Sequence, residues 1–165
     1  MNKIQAVKTA KIEEVKKNSK KGFTLVELVV VIAILAILAA IAIPVVSSTI
    51  QSSQRSSALS NAQTLELALK EAHAQIVAKD ASVYKDPTTG AVKALSAVSV
   101  SDVKAAKAIK MDATVQIGSD TYTLEWSKTD SKCYYVNGST GLDKSVTIPG
   151  DAAALTDTAT LDTLF

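Results

Sequence analysis

Few side chains in this sequence could do chemistry. The chain has one histidine, His73, and one cysteine, Cys133, so it cannot form an internal disulfide or supply a site with several thiolate or imidazole ligands. The usual spacings of metal, nucleophile and nucleotide sites, such as HExxH, GxSxG and GxGxxG, are absent from the sequence. We therefore expect a protein that is not an enzyme and that holds no metal or cofactor.

One carboxylate stands beside a long uncharged stretch. Residues 28–46 include no charged or polar side chain, and a helix of that length covers about 29 Å, which is enough to cross a bilayer. Glu27 directly precedes this stretch, where a carboxylate is costly if it enters hydrocarbon without a partner. Glu27 therefore either reaches water at the membrane surface or is neutralised by another group.

Charge is distributed unevenly along the chain. Residues 1–22 carry seven lysines against two glutamates, whereas residues 23–165 carry 11 basic and 14 acidic side chains. By the positive-inside rule, the lysines place the N-terminus in the cytoplasm and the part after the apolar stretch outside. The negative balance of that outer part argues against nucleic acid as the main partner.

Three ordinary explanations compete for the apolar stretch: a secretory signal peptide, a permanent signal anchor, and the core helix of a soluble protein. A signal peptide has a shorter apolar region that is followed by a small-residue cleavage site. A core helix needs no basic flank, and it is less uniformly apolar. A signal anchor fits every feature except Glu27.

Residues 20–28, KKGFTLVEL, followed by VVVIAILAILAAIAIP, resemble the class III signal of type IV pilins and pseudopilins. The resemblance implies that a prepilin peptidase cuts between Gly22 and Phe23 and that Phe23 becomes the N-methylated first residue. It also implies that Glu27 pairs with the Phe23 amine of a neighbouring subunit during assembly. Pro44 matches the helix-disrupting proline of many pilins.

The resemblance divides the chain into three parts. Residues 1–22 would be a leader that is removed, residues 23–46 a membrane anchor that becomes filament core, and residues 47–165 an outward domain. The protein would cross the cytoplasmic membrane once and later join a pilus at the cell surface. Its partners would be further copies of itself, the prepilin peptidase, the assembly platform and minor pilins, and the pilus would serve adhesion, surface motility or biofilm formation.

Two other functions stay open. A pseudopilin of a type II secretion or DNA-uptake system carries the same signal, and an extracytoplasmic binding domain on an uncut signal anchor is a possibility from another class. Many Gram-negative major pilins close the C-terminal region with a disulfide loop, which a single cysteine cannot form. The sequence therefore leaves the placement of residues 151–165 open, and the pilin subclass as well.

The fold class that the pattern predicts is α+β, with a long N-terminal helical spine packed against a small antiparallel sheet. No glycine or proline occurs from residue 45 to residue 86, and apolar residues recur at spacings of three and four up to Ile76. We expect the spine to cover residues 23–79, with a kink at Pro44 because proline cannot donate its helical hydrogen bond. A short helix that is capped at Ser101 should follow.

Runs of β-branched and aromatic residues predict four strands, over residues 114–117, 121–126, 133–136 and 145–148. Alternation along the second strand should turn Tyr122, Leu124 and Trp126 toward the spine. We expect Asn137 and the following Gly138 to mark a turn rather than a glycosylation site. His73 should be structural and Cys133 a small buried residue.

Overall fold

The computed structural model describes residues 22–80 and 82–165, so the leader predicted over residues 1–22 lies outside them except for Gly22. The chain divides into two compact units, one that ends at Val46 and one that comprises Ser47–Phe165. A single long helix, α1 (Leu25–Val77), begins in the first unit and ends in the second. Within the second unit α1 packs against a small antiparallel sheet, which confirms the predicted α+β class.

The end of α1 is set by a left-handed cap. Lys79 has a φ of 57°, and its amide donates to the carbonyl of Ile76 at 3.0 Å. The amide of Asp80 reaches back to the carbonyl of Gln75, also at 3.0 Å, which completes the Schellman arrangement. The helix therefore stops at Val77, two residues before the predicted end.

One face of α1 forms half of the core of the second unit. Its buried residues follow the three and four spacing of a helix face, and they are Ala58, Ala62, Leu65, Ala68, Leu69, Ala72 and Ile76. The sheet presents Tyr122, Leu124 and Trp126 to the same core cluster, as the alternation predicted. Burial of these two apolar faces against each other is the main force that holds the sheet on the helix.

The sheet has the order β1–β2–β3–β4, and all neighbours are antiparallel. Its strands are β1 (Thr114–Ile117), β2 (Asp120–Ser127), β3 (Lys132–Asn137), β4 (Thr140–Gly141) and β5 (Ala153–Ala154). β5 pairs with Glu125 and Trp126 of β2, whereas β1 pairs with residues 120–123. Because β3 occupies the other side of β2, β5 continues the line of β1 along one edge of the sheet.

The strand predicted over residues 145–148 is wrong. β3 is instead paired at its end by the two-residue β4, after a tight turn in which Gly138 has a φ of 62°. Beyond β4, Asp143 Oδ1 accepts hydrogen bonds from the amide of Ser145 at 2.9 Å and from its hydroxyl at 2.6 Å. This side-chain turn diverts the backbone from the sheet, so local hydrogen bonding overrides strand propensity.

Two short helical elements connect α1 to the sheet, a 3-10 turn (Leu95–Ala97) and α2 (Val100–Ala106). The cap of α2 is Ser99, not Ser101 as predicted. Ser99 Oγ accepts from the amide of Asp102 at 3.3 Å, and the Asp102 carboxylate accepts from the amide of Ser99 at 2.9 Å. This reciprocal capping box satisfies two amides, which explains why the helix begins there.

The last 15 residues, whose placement the sequence leaves open, dock on the core. β5 adds to the sheet, and a short helix, α3 (Leu161–Leu164), buries Leu161 and Leu164. The indole Nε1 of Trp126 donates to the carbonyl of Leu164 at 2.7 Å, and the Phe165 ring stacks on His73 with their centroids 4.2 Å apart. Packing and hydrogen bonding thus close this region without a disulfide.

The turn between β2 and β3 is held by one carboxylate. Asp151 accepts from the hydroxyl of the fully buried Ser127 at 2.8 Å and from the amides of Lys128 and Thr129 at 2.9 Å each. The hydrogen bond from the Thr129 amide, followed by that from Ser127, lowers the pKa of Asp151 from its ordinary value of 3.8. These bonds favour the ionised form.

We expect Asp151 to make the stability of the second unit depend on acid. Since its pKa is lower in the folded chain than in the unfolded chain, its contribution is complete above the unfolded value and is lost as the pH falls through the folded value. Melting temperatures measured across the acid range should therefore fall less steeply in Asp151→Asn than in the wild type, from a lower value at neutral pH. Equal acid dependence in the two proteins would show that these bonds do not couple to folding.

Candidate processing and assembly site

Gly22 and Phe23 precede the first turn of α1 and lie outside the helix. The Phe23 side chain is 91% exposed, and a Cβ built on Gly22 would meet nothing within 4 Å. Non-helical, exposed backbone is what a peptidase requires at the bond that it cuts. The described surroundings of the predicted cleavage site are therefore open.

Glu27 is tied to the start of its own helix through Thr24. The Glu27 Oε2 atom accepts from the Thr24 amide at 2.8 Å and from the Thr24 hydroxyl at 2.7 Å. In return the Thr24 hydroxyl oxygen accepts from the Glu27 amide at 3.2 Å. The two residues form a capping box, the arrangement that satisfies the free amides of a helix start.

Thr24 is a residue that sequence reasoning missed, although a local signal for it exists. The pattern Thr-x-x-Glu directly before an apolar run is the sequence signature of a capping box. Among the described residues, both hydrogen bonds to the carboxylate use Oε2, and none is made to Oε1. Glu27 can therefore cap its own helix and still accept a hydrogen bond from another molecule.

We expect Thr24→Val to loosen the first turn of α1, because valine keeps the shape of threonine but removes the hydroxyl that both gives and accepts a hydrogen bond. Loss of such a cap costs about 0.5–2 kcal/mol, so amides at the helix start should exchange faster with deuterium by several fold. The measurement is hydrogen exchange of the full chain in detergent micelles. Thr24→Ser, which retains the hydroxyl, should exchange like the wild type, and equal exchange in Thr24→Val would contradict the capping role.

The apolar side chains that follow Glu27 lie at the surface of the described part of the chain. All residues from 25 to 46 are exposed, and no residue in the fully apolar part of α1 is buried. By length and composition this helix could cross a membrane, and a soluble core helix would instead be mostly buried. The exposure suits a helix that is anchored in lipid or packed against other helices.

Pro44 lies inside α1, and the helix continues on both sides of it without a break. Because proline has no amide hydrogen, it cannot donate to the carbonyl of Ala40. The helix therefore lacks one backbone hydrogen bond at this point, and this missing bond is the physical basis of the predicted kink. The kink itself stays a prediction.

The other side chains that could take part in chemistry have structural roles. His73 stacks on Phe165, and burial raises the pKa of the Cys133 thiol to about 12, which leaves almost no reactive thiolate at neutral pH. Among residues 22–80 and 82–165, no group of three His, Cys, Asp or Glu side chains is placed to hold a metal ion. The predicted processing and assembly residues lie at the start of α1.

Comparison with known proteins points to the same segment. Residues 17–43 match the family model of the prokaryotic N-terminal methylation motif. Together with the long helix and small sheet, this match supports a type IV pilin-like prepilin, a class of structural proteins rather than enzymes. No curated protein and no solved structure shows significant similarity to the chain.

Proposed function

We propose that this chain is a structural subunit of a type IV pilus, cut between Gly22 and Phe23 and polymerised through the apolar half of α1. The observation that carries the proposal is the combination of the methylation motif with an apolar helix segment in which no residue is buried. Before assembly the lipid bilayer covers residues 23–46, with the N-terminus in the cytoplasm and residues 47–165 outside. After assembly the same surface is covered by the helices of other copies.

Cleavage supplies the charge that Glu27 needs. The cut converts the amide of Phe23 into a positively charged amine, four residues before Glu27. Oε1 of Glu27 accepts a hydrogen bond from the Phe23 amine of a neighbouring copy, while Oε2 remains on Thr24. A carboxylate and an amine that are each costly in an apolar surrounding neutralise each other when two copies are in register.

The decisive experiment is the intact mass and N-terminal sequence of the protein in filaments sheared from cells, compared between the wild type and Gly22→Val. We expect wild-type chains that begin at methylated Phe23 and no filaments from the variant. Gly150→Val is the matched control, because it is the same substitution at a glycine where a Cβ, as at Gly22, would meet nothing within 4 Å. The control should assemble normally, so loss in Gly22→Val would report on processing rather than on folding.

The other outcomes separate the competing functions. Full-length protein that stays in the membrane would exclude a pilin and leave a signal-anchored domain. Mature chains without surface filaments, in cells that lose protein secretion or DNA uptake when the gene is deleted, would identify a pseudopilin. The partners of the proposed pilin are the prepilin peptidase, the assembly platform, minor pilins and further copies of the chain.

A further inference from the structure

Arg55 is the only arginine of the chain and the first charged residue after Glu27. Residues 28–54 carry no charge, and the ten basic residues between positions 56 and 165 are all lysines. Arginine differs from lysine in its planar guanidinium, which can donate two parallel hydrogen bonds to one carboxylate or phosphate. Arg55 therefore offers a kind of contact that no other side chain of this sequence can make.

The guanidinium of Arg55 has no acceptor in the described part of the chain. Its Nε atom is buried without a hydrogen-bond partner, and none of the three ion pairs within residues 22–80 and 82–165 includes it. The residue as a whole is half-buried, so part of the side chain still faces outward. Because an unpaired buried donor is costly, we expect this guanidinium to find its acceptor on another molecule.

Arg55 lies near the start of the second unit, on the face of α1 that packs on the sheet. Ala58 and Ala62, three and seven residues later, are buried on this face. Gln51 lies one turn earlier, and a Cβ built on Gly118 of the β1–β2 turn would be 3.3 Å from its Nε2 atom. The β1–β2 turn thus lies beside the first turns that α1 makes in this unit, and Arg55 is one turn further along.

This position brings Arg55 close to the surface of the proposed membrane. The apolar stretch ends directly before Ser47, and the eight residues from Ser47 to Arg55 correspond to about 12 Å of helix. Helical side chains lean toward the N-terminus of their helix, which brings the guanidinium about 6 Å nearer to the bilayer. Since the headgroup layer on each side of a bilayer is about 5–7 Å thick, the guanidinium comes within reach of lipid phosphates.

We propose that Arg55 binds the phosphate of a membrane phospholipid while the chain is anchored, and that this contact holds the second unit at the bilayer surface. A guanidinium and a phosphate match in charge and in geometry, because two parallel N–H groups face two phosphate oxygens. Within α1 no nearby carboxylate competes, since the nearest acidic residues along the helix are Glu27 and Glu66. The inference rests on the membrane-anchored state of the proposed function and does not require polymerisation.

Solid-state NMR tests the contact directly, because a ¹³C label on the guanidinium carbon of arginine marks Arg55 alone. The full chain is placed in nanodiscs of phosphatidylglycerol and phosphatidylcholine, one copy per disc, in a phosphate-free buffer, and dephasing of the ¹³C signal by lipid ³¹P is measured. The matched control combines Arg55→Gln with Gln63→Arg, which moves the arginine to an exposed position of the same helix. We expect at least about threefold more dephasing at position 55, because position 63 lies about 12 Å further from the bilayer.

Co-migration of the chain with the nanodiscs on a density gradient keeps the two proposals apart. A chain that does not enter the bilayer would refute the membrane step of the proposed function, and this inference with it. A chain that enters the bilayer but shows no more dephasing at position 55 than at position 63 would overturn the inference alone. Dephasing that appears only after Asp120→Asn would identify the Asp120 carboxylate, beside the β1–β2 turn, as the partner of Arg55, and it would also overturn the inference.

Lipid selectivity gives a second, independent measurement. The phospholipids that stay with the full chain after its extraction from the same bilayer into detergent are quantified by mass spectrometry for the wild type, Arg55→Gln and Lys128→Gln. Lys128 is the matched control because it is exposed and lies in the β2–β3 turn, at the opposite end of β2 from Gly118. We expect Arg55→Gln to lower the ratio of phosphatidylglycerol to phosphatidylcholine at least about twofold and Lys128→Gln to leave it unchanged. Equal ratios in all three proteins would contradict the proposed contact.

Discussion

Glu27→Gln is expected to reduce surface filaments about a hundredfold while leaving cleavage at Gly22 intact. Glutamine retains an oxygen that can accept from Thr24, so the helix cap survives, but it lacks the charge that neutralises the amine of a neighbouring Phe23. Leaving one member of a buried ion pair unpartnered costs about 3–5 kcal/mol, and this corresponds to a factor of about a hundred or more in association. The measurement is quantitative recovery of sheared filaments, with the mass of the membrane-bound subunit as a check on processing.

The comparison with Thr24→Val separates pairing from capping. Thr24→Val disturbs the cap and keeps the charge, so its effect on filament yield should be far smaller than that of Glu27→Gln. If the two variants were equally defective, positioning of the carboxylate would matter as much as its charge. Normal filament yield from Glu27→Gln would exclude the ion pair as the assembly contact.

Trp126→Ala is the core substitution with the largest expected effect on stability. The side chain is only 3% exposed, it donates to the carbonyl of Leu164, and its ring meets Phe165 edge-on at 5.1 Å. Truncation of a buried aromatic residue costs about 3–5 kcal/mol, a large part of the about 5–15 kcal/mol that stabilises a domain. Amides of residues 151–165 should then exchange far faster with deuterium in the full chain in detergent.

Leu67→Ala is the matched control for this substitution. Leu67 is an apolar residue of α1, the helix that packs on the sheet, but its side chain is 66% exposed. Its truncation should therefore change the free energy of unfolding by no more than about 0.5 kcal/mol. If Trp126→Ala left the exchange of residues 151–165 unchanged, the C-terminal segment would be held by its β5 and α3 contacts alone.

Structural features that depend only on neighbouring residues could be predicted from the sequence. The apolar stretch, its basic flank and the position of Glu27 require no knowledge of distant contacts, because length, charge and hydropathy act locally. The helix that ends at Val77 and the strands β1, β2 and β3 were also predictable. Hydrophobic periodicity and strand propensity both depend on only a few neighbouring residues. The capping box of Thr24 belongs to this class as well, although its signal was not recognised.

Which short segments pair as strands depends on the tertiary structure. β4 and β5 contain two residues each, too few for any periodic signal, and they are strands only because β3 and β2 present free edges to them. Residues 145–148 have strand propensity and are not a strand, because the Asp143 turn intervenes.

The apolar stretch long enough to cross a membrane, its basic flank, the motif at the predicted cleavage site and the α+β class were predictable from sequence alone. All of them depend on local composition and periodicity. The way in which residues 151–165 close the domain became visible only in the folded chain. This closure depends on contacts between residues far apart in the chain, such as Trp126 with Leu164 and His73 with Phe165. Such contacts form when the whole core is buried, so no short stretch of sequence contains them.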